Sequence, residues 1–240
     1  MARSRNDEGF DLSAAVTRSL LGWGVVAGIF YLIVGVTHAL LRDGFSFPDH
    51  PLSLLMLGDF GWVQRTNLIL SGLMVVAAAI GFKRAMKPDR RGTRTGVALG
   101  IYGLALIGAG IFAPDPVAGF PESSSTAQAT TSGVLHLAFG GIGFIALATA
   151  TLFMAGWFSD RGETSQATRS RLTGFVILLG FLGGAALATS TVGVTLLWVA
   201  VLAGWSWLTV TSVHIYRVVP HPDLHVRQTA AESRSAQEQP

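Results

Sequence analysis

Residues 19–41 read SLLGWGVVAGIFYLIVGVTHALL, a run with no Lys, Arg, Asp or Glu. A helix rises 1.5 Å per residue, so this run is long enough to cross roughly 30 Å of hydrocarbon. A run of this length is a helix rather than a buried strand, because a backbone in lipid must satisfy its own hydrogen bonds. Five further segments have the same character: residues 63–82, 95–112, 132–157, 172–189 and 192–218. The expectation is an all-α, polytopic transmembrane bundle of six spans.

Composition agrees. Of the 240 residues only 13% are charged, against about 25% in soluble domains, and mean hydropathy is +0.50. These values exclude an ordinary soluble domain, a disordered chain and a nucleic-acid-binding module. The absence of cysteine excludes disulfides, thiolate nucleophiles and Cys-ligated metals. The first apolar run exceeds a secretory h-region and no small-residue cleavage site follows it, so it is expected to be an uncleaved first span.

The charges are sorted by side. Of the 17 Lys and Arg, the first connection holds only Arg42 and Arg65, and the third and fifth hold none. The rest lie in the N-terminal arm, the second connection (Lys83, Arg84, Lys87, Arg90, Arg91, Arg94), the fourth (Arg161, Arg169, Arg171) and the tail. By the positive-inside rule both termini are cytoplasmic. The expected organisation is a cytoplasmic arm over 1–18, a six-helix domain over 19–218 and a disordered cytoplasmic tail over 219–240. Trp62 and Trp157 fall where interfacial anchors are expected.

Small residues form stripes. Gly24, Gly28, Tyr31, Gly35 and His38 share one face of the first span; Gly96, Gly100, Gly103, Ile107 and Gly110 share one of the third. Gly180 and Gly184 make a similar pair in the fifth. Close packing inside the bundle is the expected use, with a homo-oligomer seam as the alternative.

Polar chemistry gathers at the outer ends, because the middles of the spans carry no charge. Asp43, Asp49, Asp59, Asp115 and Glu122 stand there against Arg42 and Arg65. The candidate site residues are His38, Asp59, Asn67, Asp115 and His136. His38, Asp59, Asp115 and His136 offer a donor set for a divalent ion with an open position for water. The plainer alternative is that Asp beside Pro makes turns and His near a helix end bonds a carbonyl. No tight metal-ligand spacing such as HExxH occurs. Pro48-Asp49 and Pro114-Asp115 form a faint echo after the first and third spans. Residues 52–58 are apolar but too short to span, so they are either an interfacial or re-entrant lid or a surface loop. Residues 118–131, rich in Ser and Thr, read as a mobile exposed loop, and 83–94 as a topology anchor. His221 and His225 flank Asp223 without other support for a site.

The run Gly108-Ala109-Gly110-Ile111-Phe112-Ala113-Pro114-Asp115-Pro116, with His136 opening the next span, resembles the signature of domain of unknown function 998. So does Arg65-Thr66-Asn67-Leu68-Ile69-Leu70-Ser71-Gly72 at the start of the second span. The likeness covers roughly residues 20–215. It implies a bacterial six-helix integral membrane protein and carries over no catalytic residue. The loop after Pro116 is longer here than is usual in that family. The expected location is the bacterial cytoplasmic membrane. The expected role is binding of a small ligand or lipid headgroup at the outward polar rim, as sensor, scaffold or lipid-handling accessory. A metal-dependent membrane-embedded hydrolase and a transporter of a neutral or amphipathic solute are the alternatives. Membrane lipids are the expected partners, nucleic acid is not, and no cofactor is expected.

Overall fold

The computed structural model describes residues 10–117, 119–121 and 129–223. Six long helices account for most of them: α1 (Leu12–Leu41), α2 (Gly61–Ala85), α3 (Arg90–Ile111), α4 (Thr131–Asp160), α5 (Thr164–Ala186) and α6 (Thr191–Val218). A short 3-10 helix, Leu52–Met56, lies between α1 and α2. The result is a polytopic helical bundle. Five of the helices, all but α5, are long and apolar enough to cross a membrane.

Helix α5 differs from the expected segment over 172–189. It begins eight residues earlier, in the polar turns Thr164–Arg171, and ends at Ala186. It still runs the depth of the bundle. A methyl at Gly174 would meet Thr151 of α4, and methyls at Gly180 and Gly184 would meet Ala200 and Leu197 of α6. Near its start, the Trp207 indole donates to the buried Ser170 hydroxyl at 3.0 Å.

Each helix packs on the next in sequence, and α6 closes the ring onto α1. The glycine stripes are the contact lines. A Cβ on Gly72 would come within 2.6 Å of the Gly103 carbonyl, and one on Gly103 within 2.7 Å of the Gly72 carbonyl. Backbones this close leave no room for a side chain on either helix. On α1, Gly24 faces Ser212, Gly28 faces Trp205 and Gly35 faces Leu52. The stripes thus pack helices within one chain.

Both described chain ends meet at the basic end. The Asp11 amide donates to the Pro222 carbonyl at 2.9 Å, and Arg18 donates to the Val219 carbonyl at 2.7 Å while covering the Tyr216 ring. Residues 12–18, expected in an arm, are the first two turns of α1, capped by the Asp11 side chain on Ala14 N–H. Residues 1–9 of the arm and 224–240 of the tail lie outside the described residues. Arg91 pairs with Asp160 at 3.0 Å and Arg161 with Asp89 at 3.4 Å. These pairs are exposed enough to contribute at most about 1 kcal/mol each. Trp157 is a correction. It is buried among the helices, with the Arg161 guanidinium 3.6 Å above its ring, and not an interfacial anchor. Trp62 is exposed, as an anchor must be.

Candidate functional site

At the opposite, acidic end, three helices start and three finish, and several of the polar side chains there answer a helix-end requirement. The first and last turns of a helix leave N–H and C=O groups without intrahelical partners. Asp115, after the end of α3, accepts from the backbone N–H of Thr130 at 3.1 Å and from its hydroxyl at 2.5 Å. Thr130 is the N-cap of α4 and accepts from Gly133 N–H. Gly133 carries no side chain because one would collide with the Asp115 carboxylate. The Ser132 hydroxyl donates to the Ala113 carbonyl at 2.9 Å.

His136, one turn inside α4, bonds the other helix. Its Nδ1 lies 2.9 Å from both the Ala109 and Phe112 carbonyl oxygens at the C-terminus of α3. Carbonyls only accept, so Nδ1 carries the proton. In the neutral ring Nε2 then holds a lone pair. Asp115 and His136 therefore form one joint between α3 and α4.

Asn67 belongs elsewhere. It is buried between α1 and α2, where its amide donates to the Tyr31 carbonyl and to Gln64 Oε1, both at 3.1 Å. Ser71 donates to its Oδ1 at 3.5 Å. Gln64, Asn67 and Ser71 make a buried polar stripe at steps of three and four along α2. Gln64 was not among the expected site residues, although that spacing from Asn67 is visible in the sequence. His38, on the facing side of α1, is 8% exposed, and neither of its ring nitrogens meets a hydrogen-bond partner among the described residues. Asp59 is exposed at the turn before α2, and its backbone carbonyl accepts from Arg42 at 2.7 Å.

The apolar stretch after the first loop is a lid and not a surface loop. Leu52, Leu54, Leu55 and Met56 are all buried, and Leu52 lies over Gly35. Several bonds hold the lid down. Arg42 donates to the Asp59 and Leu57 carbonyls. His50 Nδ1 accepts from Ser46 N–H at 3.0 Å, and Asp49 reaches Thr191 on α6. Phe120, at the edge of the Ser/Thr-rich connection, is buried against His50 and Phe45. Residues 118 and 122–128 of that connection lie outside the described residues. After the lid, Gly58 and Phe60 take left-handed backbones (φ 67° and 61°) to turn the chain into α2. Phe60 is costly there for a non-glycine residue, and its side chain is exposed beside Trp62.

Beneath the lid is a cavity of about 140 Å³. Pro51, Leu52 and Ser53 border it on the lid side, and Tyr31, Tyr102 and Trp205 form an aromatic cluster in its wall. The space exists because α3, α4 and α6 present small residues together: Ala105, Ala109, Gly140, Gly143 and Ala200. His136 lines it too. Its helix-joining bond thus leaves an acceptor nitrogen on a residue of the cavity wall. Among the described residues no three His, Asp or Glu side chains converge as a metal centre would require.

A ring of lipid-crossing helices closed by a buried lid over an aromatic cavity defines a polytopic integral membrane protein. The chain belongs to the family described as protein of unknown function DUF998, whose family model matches residues 25–214. The Pro-Asp and His that carry the resemblance are Asp115 and His136, the two sides of the α3–α4 joint. No curated protein and no solved structure matches the chain.

Proposed function

We propose that this protein binds a small amphipathic molecule at its acidic end. The molecule's apolar part fills the cavity beneath the lid, and a hydroxyl or other donor on it reaches Nε2 of His136. The cavity carries this reading. An apolar cavity of about 150 Å³ binds benzene in a soluble protein, so about 140 Å³ suits a ring or a short branched hydrocarbon segment. With Nδ1 turned to the two carbonyls of α3, Nε2 is the His136 nitrogen left for a ligand, and an alcohol-like head can bond it. The distribution of Lys and Arg supports a cytoplasmic basic end, so the cavity faces outward, and the protein serves as a sensor or lipid-handling accessory in a bacterial cytoplasmic membrane.

Gly140 gives a clean test. It lines the cavity, and a Cβ added there meets nothing within 4 Å. Gly140→Leu is expected to fill the cavity while keeping the fold. Phenol and benzene are titrated against purified protein in nanodiscs, with the saturable part of tryptophan fluorescence as readout and Trp205→Phe as its assignment. The expected result is tighter binding of phenol than benzene, with both lost in Gly140→Leu. Binding that Gly140→Leu leaves unchanged overturns the proposal.

A further inference from the structure

A second concavity lies far from the lid, on the outside of the bundle between α3 and α4 in its basic half. Its volume is about 460 Å³ and its walls are almost wholly carbon: Val97, Ile101, Ile142, Ile145 and Phe153. Its floor is low because both helices present alanine there, Ala98 on α3 and Ala146 on α4. From Ile142 to Phe153 the groove follows eleven residues of α4, roughly 16 Å at 1.5 Å per residue. That is about half of a ~30 Å hydrocarbon core, the reach of one acyl chain in one leaflet.

Its mouth at the basic end carries Arg94. The guanidinium sits 5.8 Å from the Phe153 ring centre, and Arg94 makes no ion pair among the described residues. Arg90, one turn earlier on α3, is exposed and likewise unpaired among them. The neighbouring bases differ: Arg91 is taken by Asp160 and Arg161 by Asp89. Two unpaired guanidiniums four residues apart lie on one face of a helix, directly above an acyl-length groove. Arginine suits phosphate oxygens because its planar fork donates to two of them at once.

We propose that this groove is a binding site for one anionic phospholipid, with an acyl chain along Val97–Ile101 and Ile142–Phe153 and the headgroup phosphate on Arg90 and Arg94. The site is distinct from the cavity under the lid. It gives the basic connection a specific lipid partner in addition to its topological role.

The test uses the full chain in detergent, with dioleoyl phosphatidylglycerol and dioleoyl phosphatidylcholine as probes and native mass spectrometry as readout. Phosphatidylglycerol is expected to be retained about 30-fold better, the effect of two bases together. A base beside an anionic lipid surface contributes about 5-fold in affinity. Arg94→Gln is therefore expected to lower phosphatidylglycerol retention about 5-fold, and Arg90→Gln with Arg94→Gln about 30-fold, down to the phosphatidylcholine level. Arg169→Gln, an exposed base at the same end on α5, is expected to change nothing. Equal retention of the two lipids overturns the proposal. So does a loss in Arg169→Gln equal to that in Arg94→Gln, which would mean general surface charge. Inorganic phosphate competing as well as the lipid also overturns it, since the groove would then play no part.

Discussion

Asp49 Oδ1 accepts a hydrogen bond from Thr191 Oγ1 at 3.0 Å, tying the first acidic-end loop to the first turn of α6. Asp115 does the equivalent for α4 through Thr130. Both aspartates follow a proline, and both put negative charge at the N-terminus of a helix that starts at the acidic end, where the helix dipole favours it. Asp115→Ala is expected to cost about 1–2 kcal/mol, the value of a lost helix-end bond. Asp115→Asn, which keeps one acceptor, should cost less. Thermal unfolding in detergent checks the order; equal melting of the three proteins would show that the joint contributes nothing.

The lid is expected to loosen in mild acid. Burial pushes the His50 imidazole below its ordinary 6.5, with Asp49 opposing. Its Nδ1 must stay unprotonated to accept from Ser46 N–H. The unfolded chain therefore binds the proton more readily than the folded one. The His50 contribution is complete above about pH 6.5 and shrinks as pH falls below it. Asp49 acts lower. Bonds from Ser46 and Thr191 hold its carboxyl below the usual 3.8, so its contribution persists until pH falls past that value. Hydrogen-exchange protection of the Ser46 amide should drop between pH 7.5 and 5.5 in the native protein and be low at both in His50→Ala.

Arg42 is the latch on the lid. It donates to two carbonyls, of Asp59 at 2.7 Å and Leu57 at 3.3 Å, and stands over the Phe120 ring. Arg42→Gln is expected to lower stability by about 1–2 kcal/mol, since bonds from a charged donor are worth more than neutral ones but these are partly exposed. Faster proteolysis within residues 42–60 is the local readout, and unchanged cleavage there would rule the latch out.

Glycines in this chain divide by what surrounds them. Gly72→Ala and Gly103→Ala each drive a methyl into the opposing carbonyl and are expected to cost about 1–3 kcal/mol by forcing α2 and α3 apart. At Gly22 nothing lies within 4 Å, so Gly22→Ala should be neutral or stabilise by up to about 1 kcal/mol through helix propensity. Melting temperatures of the three variants decide the matter.

The existence of the helices was legible from residue order alone, because crossing hydrocarbon imposes a length and an apolar content that little else satisfies. The grouping of the chain ends was legible too, since Lys and Arg are concentrated in alternate connections, and both described ends do meet at the basic end. The roles of the polar residues were not. Asp115 and His136 stood out by type and spacing, yet whether a carboxylate holds a ligand or a helix end depends on which N–H groups reach it, and Thr130 reaches this one. Gln64 lies three residues before Asn67 on the same helix, a spacing visible in the sequence, but its partner Tyr31 is brought to it only by the packing of α1 on α2. The lid and its cavity belong wholly to the tertiary structure. A void forms only where small residues of three helices coincide at one depth, and periodicity along a single helix does not encode that coincidence.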